Sequence, residues 1–287
     1  MTTGHLPTQF DLAIVERAFR DFANLQVLDR PQIPGRRAVV LFSSNGLYFP
    51  NTEAEATRVL VEQDRFEWRR TLPRGCRRVI LVRDVFKTWY LRGINPSLPN
   101  PTALAERLRH ELQGWDVQMG GVSSGGFAAV LFGRLVGARR VFSLAGQFSL
   151  QPVLDDQNGR ALNPLVAAAA SDPALRPFLE PLRLPHQPFP EIIYVVPRHS
   201  VVDAPQRELA EADPRIQTLA VDSDQHDVNL LRPALRRLFE RPSSYLDALA
   251  HRTPPGGWHP VELSRRLSGN RSHFSYLLRK RRDLLLR

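Results

Sequence analysis

Short apolar runs rich in β-branched residues recur along this chain, and helically spaced apolar positions lie between them. Ala38-Val39-Val40-Leu41-Phe42, bounded by Gly35 and by Ser43-Ser44-Asn45-Gly46, has the length and flanks of a buried strand. Similar runs follow at Arg78–Val82, Asp116–Met119, Arg140–Leu144, Glu191–Val196 and Ile216–Val221. Helical patterns fall between them at 52–64, 101–112, 126–136 and near 230–240. Asn100-Pro101 supplies a cap and a first-turn proline for the second of these, and Gly137 stops the third. Strands that alternate with helices and are apolar on both faces predict an α/β fold, with a mostly parallel sheet covered by helices on both sides.

Three stretches depart from that rhythm. Residues 8–28 carry Phe10, Ile14, Phe19, Phe22 and Leu25 at helical spacing, so 1–35 is expected to form an amphipathic N-terminal segment. Residues 148–190 hold 8 of the 24 prolines and no clear strand. That is too long for a plain connection and reads as a lid-like insertion with short helices around 161–170 and 173–180. After Pro254-Pro255-Gly256-Gly257 comes a basic segment with two helical patterns, 260–267 and 272–282, around Ser268-Gly269-Asn270. The expected organisation is thus an N-terminal segment, 1–35, a core, 36–250, and a helical C-terminal extension, 251–287.

Composition narrows the class without naming a function. With 43% hydrophobic and 24% charged residues, the chain is neither disordered nor fibrous. Its one cysteine, Cys76, excludes an internal disulfide and a Cys-rich metal site. No apolar run reaches transmembrane length, and the start lacks a signal-peptide pattern, so a cytoplasmic protein is expected. The net charge of +10 is unevenly spread. Residues 251–287 hold nine Lys/Arg against two Asp/Glu, which leaves the remainder close to balance.

The chemistry concentrates in Gly120–Ala129, read Gly-Gly-Val-Ser-Ser-Gly-Gly-Phe-Ala-Ala. It contains Gly-x-Ser-x-Gly at 121, 123 and 125, between an expected strand and an expected helix. That context suits a nucleophile elbow, where a sharp turn holds a serine clear of the backbone at a helix N-terminus. Small residues two places to either side make the turn sterically possible. Ser123 has glycines at both places, whereas Ser124 does not. The bland alternative is a Gly/Ser-rich turn, phosphate-binding or merely structural.

On these residues the chain resembles the α/β-hydrolase family over about 36–250. It is most similar to a bacterial group that shares Gly-x-Ser-Ser-Gly-Gly-Phe/Tyr-Ala-Ala, Phe-Ser-Ser-x-Gly-Leu-Tyr (here Phe42–Tyr48) and Arg-Asp-Val-x-x-x-Trp-Tyr (here Arg83–Tyr90). The resemblance implies a serine hydrolase that cleaves an ester or thioester through an acyl-enzyme, and leaves its substrate undefined. An acyltransferase with the same residues, or a non-catalytic binding protein on this fold, stands as the alternative.

Family order implies nucleophile, acid and histidine in sequence. Asp203 follows the next-to-last strand and His226 the last, so Ser123, Asp203 and His226 form the expected triad. Asp203 could instead be a helix N-cap, with Asp222 or Asp224 as the acid. The expected oxyanion hole combines the N–H of Ser124 with that of Ser44 or Asn45. Trp89, Tyr90 and Arg92 follow a strand at its carboxyl end, where the ligand crevice of an open α/β sheet lies, and could bind substrate. Their types would suit a small-molecule or glycan-linked acyl compound; anchoring of a long loop is the rival reading. His199, Asp203, His226 and Asp227 lack a ligand spacing, so neither a metal nor another cofactor is expected. For the tail, a helical hairpin packed on the core through Leu263, Leu267, Phe274 and Leu277 stands first. An anionic surface or polymer bound through 258–287 is the alternative. The helix-turn-helix likeness is too short to make nucleic acid the expected partner.

Overall fold

The computed structural model describes residues 8–156, 163–185, 188–270, 272–273 and 275–276. The first apolar stretch divides in two. Ile14, Val15, Ala18 and Phe19 bury one face of helix α1 (Ala13–Asp21). Asn24 then takes a left-handed conformation, φ 53°, and redirects the chain into strand β1 (Leu25–Asp29). The helical spacing read over 8–28 thus holds for α1 and gives way to a strand from Leu25. Asparagine tolerates the left-handed turn, and pairing with a neighbouring strand outweighs the helical spacing of Leu25.

The alternation follows: β2 (Arg37–Phe42), α2 (Glu53–Thr57) with a π turn over Arg58–Glu62, β3 (Arg78–Val82) and α3 (Pro101–Leu112). Asn100 caps α3 by accepting the Ala103 N–H at 2.9 Å. Next come β4 (Asp116–Val122), α4 (Ser124–Val136) and β5 (Arg140–Leu144). Within 148–190 lie α5 (Gln151–Asp155), α6 (Pro164–Ser171) and two 3-10 turns, Arg176–Leu179 and Pro181–Arg183, with no strand among the described residues. The chain then runs through β6 (Glu191–Pro197), α7 (Ala204–Glu211), β7 (Ile216–Val221), α8 (Arg232–Leu238), α9 (Ser243–His251) and α10 (Pro260–Ser268).

The seven strands form one sheet in the order β1-β3-β2-β4-β5-β6-β7, parallel throughout except for antiparallel β1. Successive strand residues face opposite sides, which explains the unbroken apolar runs. Val40, Phe42, Met119, Val141 and Tyr194 pack with α3 and α4 on one face. Val39, Leu41, Phe142, Ile193 and Leu219 pack on the other, against Leu238, Phe239, Leu246, Leu263 and Leu267. A third cluster joins α1 and α2 to Tyr48, Val85 and Phe86.

The tail is docked on that second face. Trp258 exchanges backbone hydrogen bonds with Ala220 and Asp222, both at 2.8 Å, and so continues the sheet beside β7. Leu263 and Leu267 of α10 are fully buried there. Phe274 and Leu277, the other expected anchors, lie outside the described residues, as do 161–162 of the insertion and 277–282 of the last expected helix. No helix among the described residues is long and apolar enough to cross a membrane.

Candidate active site

Because β2 to β7 run the same way, the loops that leave β2, β3, β4, β5, β6 and β7 gather at one edge of the sheet. At the end of β4, Ser123 adopts φ 53° and ψ −123°, a conformation that ordinary residues rarely hold. Its N–H donates to the Leu144 carbonyl at 2.8 Å, and its carbonyl accepts the Phe127 N–H at 3.0 Å. Gly121 and Gly125 allow the sharp reversal. A Cβ on Gly121 would lie 2.2 Å from the Gly125 carbonyl, and one on Gly125 would lie 2.4 Å from the Phe42 carbonyl oxygen.

Ser123 Oγ lies 2.8 Å from His226 Nε2. His226 comes from the loop between β7 and α8. Its Nδ1 lies 2.9 and 3.0 Å from the two carboxylate oxygens of Asp203, in the loop between β6 and α7. A carboxylate accepts only, so Nδ1 carries the proton, and Nε2 is left to accept from the Ser123 hydroxyl. Asp203 is buried, while the His226 ring is about one-third exposed. The hydrogen bond that His226 donates to Asp203 raises the His226 pKa above its ordinary value; burial opposes this, and the Asp203 and Asp227 charges add to the rise.

The rival residues are occupied elsewhere. Ser124 Oγ donates to Asn45 Oδ1 at 2.9 Å. Asp222 is exposed and pairs with His199 at 3.5 Å. Asp224 accepts from the Gln225 side chain. Cys76 is buried, and burial pushes its thiol up to about 11. Among the described residues, no group of three or more His, Cys, Asp or Glu side chains could hold a metal ion.

The loop after β2 is fixed from outside the triad. The Ser44 N–H donates to Glu67 Oε2 at 2.5 Å, Ser44 Oγ donates to Glu67 Oε1 at 2.8 Å, and Ser44 Oγ accepts the Gly46 N–H at 3.0 Å. The Ser44 N–H is therefore engaged and is not an open oxyanion donor, contrary to one of the sequence-based alternatives. The N–H groups of Asn45 and Ser124 each open a helical turn and donate to no backbone or side-chain acceptor among the described residues. Glu67 escaped the sequence reading, because nothing in the spacing of 44 and 67 signals the contact.

Trp89, Tyr90 and Arg92 do not form the expected open platform. Tyr90 is fully buried, with its hydroxyl donating to the Ser43 carbonyl at 2.8 Å. Trp89 is also buried, and its Nε1 donates to Gln147 Oε1 at 3.0 Å. Arg92 lies 3.9 Å over the Phe86 ring and 3.4 Å from Glu16. The physical reason is Asp84. Its buried carboxylate accepts the N–H groups of Phe86, Thr88 and Tyr90, folding the segment inward through left-handed residues at Lys87, Trp89 and Tyr90. Lys87 is buried with them over the Tyr48 ring, and desolvation lowers its pKa to about 8.

No family model matches the chain, and no curated protein matches it in sequence. Solved structures do. The capsule O-acetyltransferase of Neisseria meningitidis serogroup A, in complex with caged gadolinium, is similar with a TM-score of 0.51 and 12% identity, over 77% of this chain and 91% of that one. An S-formylglutathione hydrolase from Staphylococcus aureus aligns with a TM-score of 0.46 and 13% identity, over 78% and 92%. An esterase/lipase from an uncultured bacterium gives 0.44 and 14%, over 88% and 91%. The chain has the α/β-hydrolase fold and carries at the carboxyl edge of its sheet a Ser–His–Asp triad of the serine-hydrolase kind.

Proposed function

We propose that the chain hydrolyses a small acyl ester or thioester, with Ser123 as nucleophile, His226 as general base and then acid, and Asp203 as the residue that orients the ring. The observation that carries this reading is the unbroken line of hydrogen bonds from Ser123 Oγ through His226 to Asp203. Ser123 Oγ attacks the carbonyl carbon while its proton passes to His226 Nε2. The resulting oxyanion is received by the N–H groups of Ser124 and Asn45, at the end of α4 where the helix dipole favours negative charge. The bond to the leaving group then breaks, and His226 returns the proton to the departing oxygen or sulfur. Water repeats the sequence on the acyl-enzyme and frees the acid.

The described residues of 148–190 begin after the carboxyl end of β5 and serve in this reading as part of a lid over the site. Gln206 of α7 anchors their start by accepting the N–H groups of Phe148 and Ser149. Burial of Tyr90 removes the main reason to favour a glycan-linked alcohol, so the proposed substrate is a small-molecule acyl compound. A cytoplasmic setting and a place in the bacterial group with the Gly-x-Ser-Ser-Gly-Gly elbow belong to the same reading; the single buried cysteine supports the first. A fluorophosphonate probe tests the proposal. Labelling of the folded wild type, abolished in Ser123→Ala, is expected; labelling that survives the substitution rejects Ser123 as nucleophile.

Transfer of the acyl group to an alcohol acceptor needs no further residue, and the similarity to a capsule O-acetyltransferase favours testing it. Product analysis with and without added alcohol separates the two, since a transferase yields a new ester at the expense of free acid.

A further inference from the structure

At the amino end of the sheet, away from Ser123, lies a groove of about 380 Å³. Arg74, Arg232, Arg236, Arg237, Ser272 and Tyr276 line it. Arg74 belongs to the turn that leads into the start of β3, whereas Ser123 follows the end of β4, and these two strands run the same way. The groove is therefore separate from the acyl site.

Four arginines lining one groove bring four positive charges together, and the described residues supply little to offset them. Arg237 pairs with Glu240 at 3.1 Å, but that carboxylate also accepts the Gly75 N–H. Arg236 uses one nitrogen on the neutral Arg70 carbonyl, at 2.8 Å. Arg74 and Arg232 are exposed and form no ion pair among the described residues. The Nε atoms of Arg236 and Arg237 are buried and donate to no acceptor among the described residues. A buried donor without a partner is costly and is uncommon in native structures. What the described residues do not supply there is an acceptor that carries negative charge and several oxygens. Planar guanidinium forks match phosphate oxygens two at a time, and the Ser272 and Tyr276 hydroxyls add neutral donors at the rim.

We propose that this groove binds a phosphorylated anion of about the size of a diphosphate or sugar phosphate, with Arg236 and Arg237 as the inner contacts and Arg74 and Arg232 as the outer ones. The volume suits such a ligand, being within the range of small-molecule sites. The proposal is independent of the acyl chemistry at Ser123.

The test is calorimetric titration of the full chain with inorganic pyrophosphate at constant ionic strength, beside sedimentation with phosphatidylcholine vesicles that contain or lack phosphatidylglycerol. Saturable pyrophosphate binding is expected, weakened roughly tenfold or more in Arg74→Ser/Arg232→Ser, which removes two charge-assisted contacts. Both arginines are exposed, so thermal melting without ligand should stay as in the wild type; Arg232→Gln alone provides a milder second variant. Vesicle binding that requires phosphatidylglycerol and fails in the variant would identify a lipid headgroup as the source of the phosphate. Pyrophosphate binding that is absent or weak and unsaturable, together with no vesicle binding, overturns the proposal. So does binding unchanged by both variants.

Discussion

Asp203 stands at the N-cap of α7, yet its carboxylate makes no capping bond and turns instead to His226, with both oxygens within 3.0 Å of Nδ1. The same position offers a stabilising use for aspartate that the chain leaves unused. Replacing it should therefore harm catalysis far more than the helix. Asp203→Asn is expected to lower kcat by about 10³–10⁴-fold, because the amide can present its N–H to Nδ1 and favour the wrong tautomer. Ester turnover and a melting curve on the same sample check this. A variant that loses stability and activity in parallel would assign Asp203 to the helix.

The raised pKa of His226 sets the pH dependence of both activity and stability, with opposite signs. Only the neutral ring can take the Ser123 proton, so kcat/KM should fall on acidification with a midpoint above the ordinary histidine value of about 6.5. For stability, a folded-state pKa above the unfolded one means that folding favours the protonated ring. That contribution is complete below about pH 6.5 and is lost as pH rises through the folded value. His226→Gln should remove both dependences, as read by pH–rate profiles and by melting across pH.

The elbow tolerates no added carbon at Gly125. Its Cβ would meet the Phe42 carbonyl oxygen at 2.4 Å, and that oxygen belongs to β2 and cannot withdraw. Gly125→Ala should cost about 1–3 kcal/mol or more and displace the start of α4. Loss of fluorophosphonate labelling with a lowered melting temperature is the expected pair of results.

In the proposed mechanism Glu67 acts at one remove from the reacting atoms. It holds the N–H and hydroxyl of Ser44, and so sets where the neighbouring Asn45 N–H points. Glu67→Ala should lower kcat by about a hundredfold with KM little changed, the effect of a displacement near 1 Å in an oxyanion donor. Glu67→Gln, which keeps one acceptor for Ser44, should recover part of the rate. A structural role alone would shift the melting temperature without that split between kcat and KM.

These residues differ in how visible they were in the sequence. Ser123, Asp203 and His226 could be read because strand ends are legible as apolar runs, and each residue follows one closely. The mostly parallel character of the sheet is legible in the same runs. β1 is not legible because Leu25-Gln26-Val27-Leu28-Asp29 continues the helical spacing of α1, and only pairing with β3 decides its form. α9 is hard to read because Ser243–His251 follows α8 across a short break and has no strand before it. Tyr90 looked like a ligand contact, since an aromatic residue after a strand gives no sign of whether its ring faces out or in. The inward fold depends on Asp84 collecting three N–H groups, a three-dimensional fact with no fixed sequence pattern. Glu67 was hidden for the same reason.

The backbone bonds of Trp258 also close part of a sheet edge. β7 would otherwise end the sheet with an open row of donors and acceptors, the kind of border on which a second chain can add a strand. Trp258 occupies two of those positions next to Asp222, and its indole fills the second core cluster, which makes detachment costly. The Pro-Pro-Gly-Gly stretch thus works as a bend that brings a guard onto the rim. With Trp258 in place, fewer backbone groups of β7 stay open to pairing with a second chain.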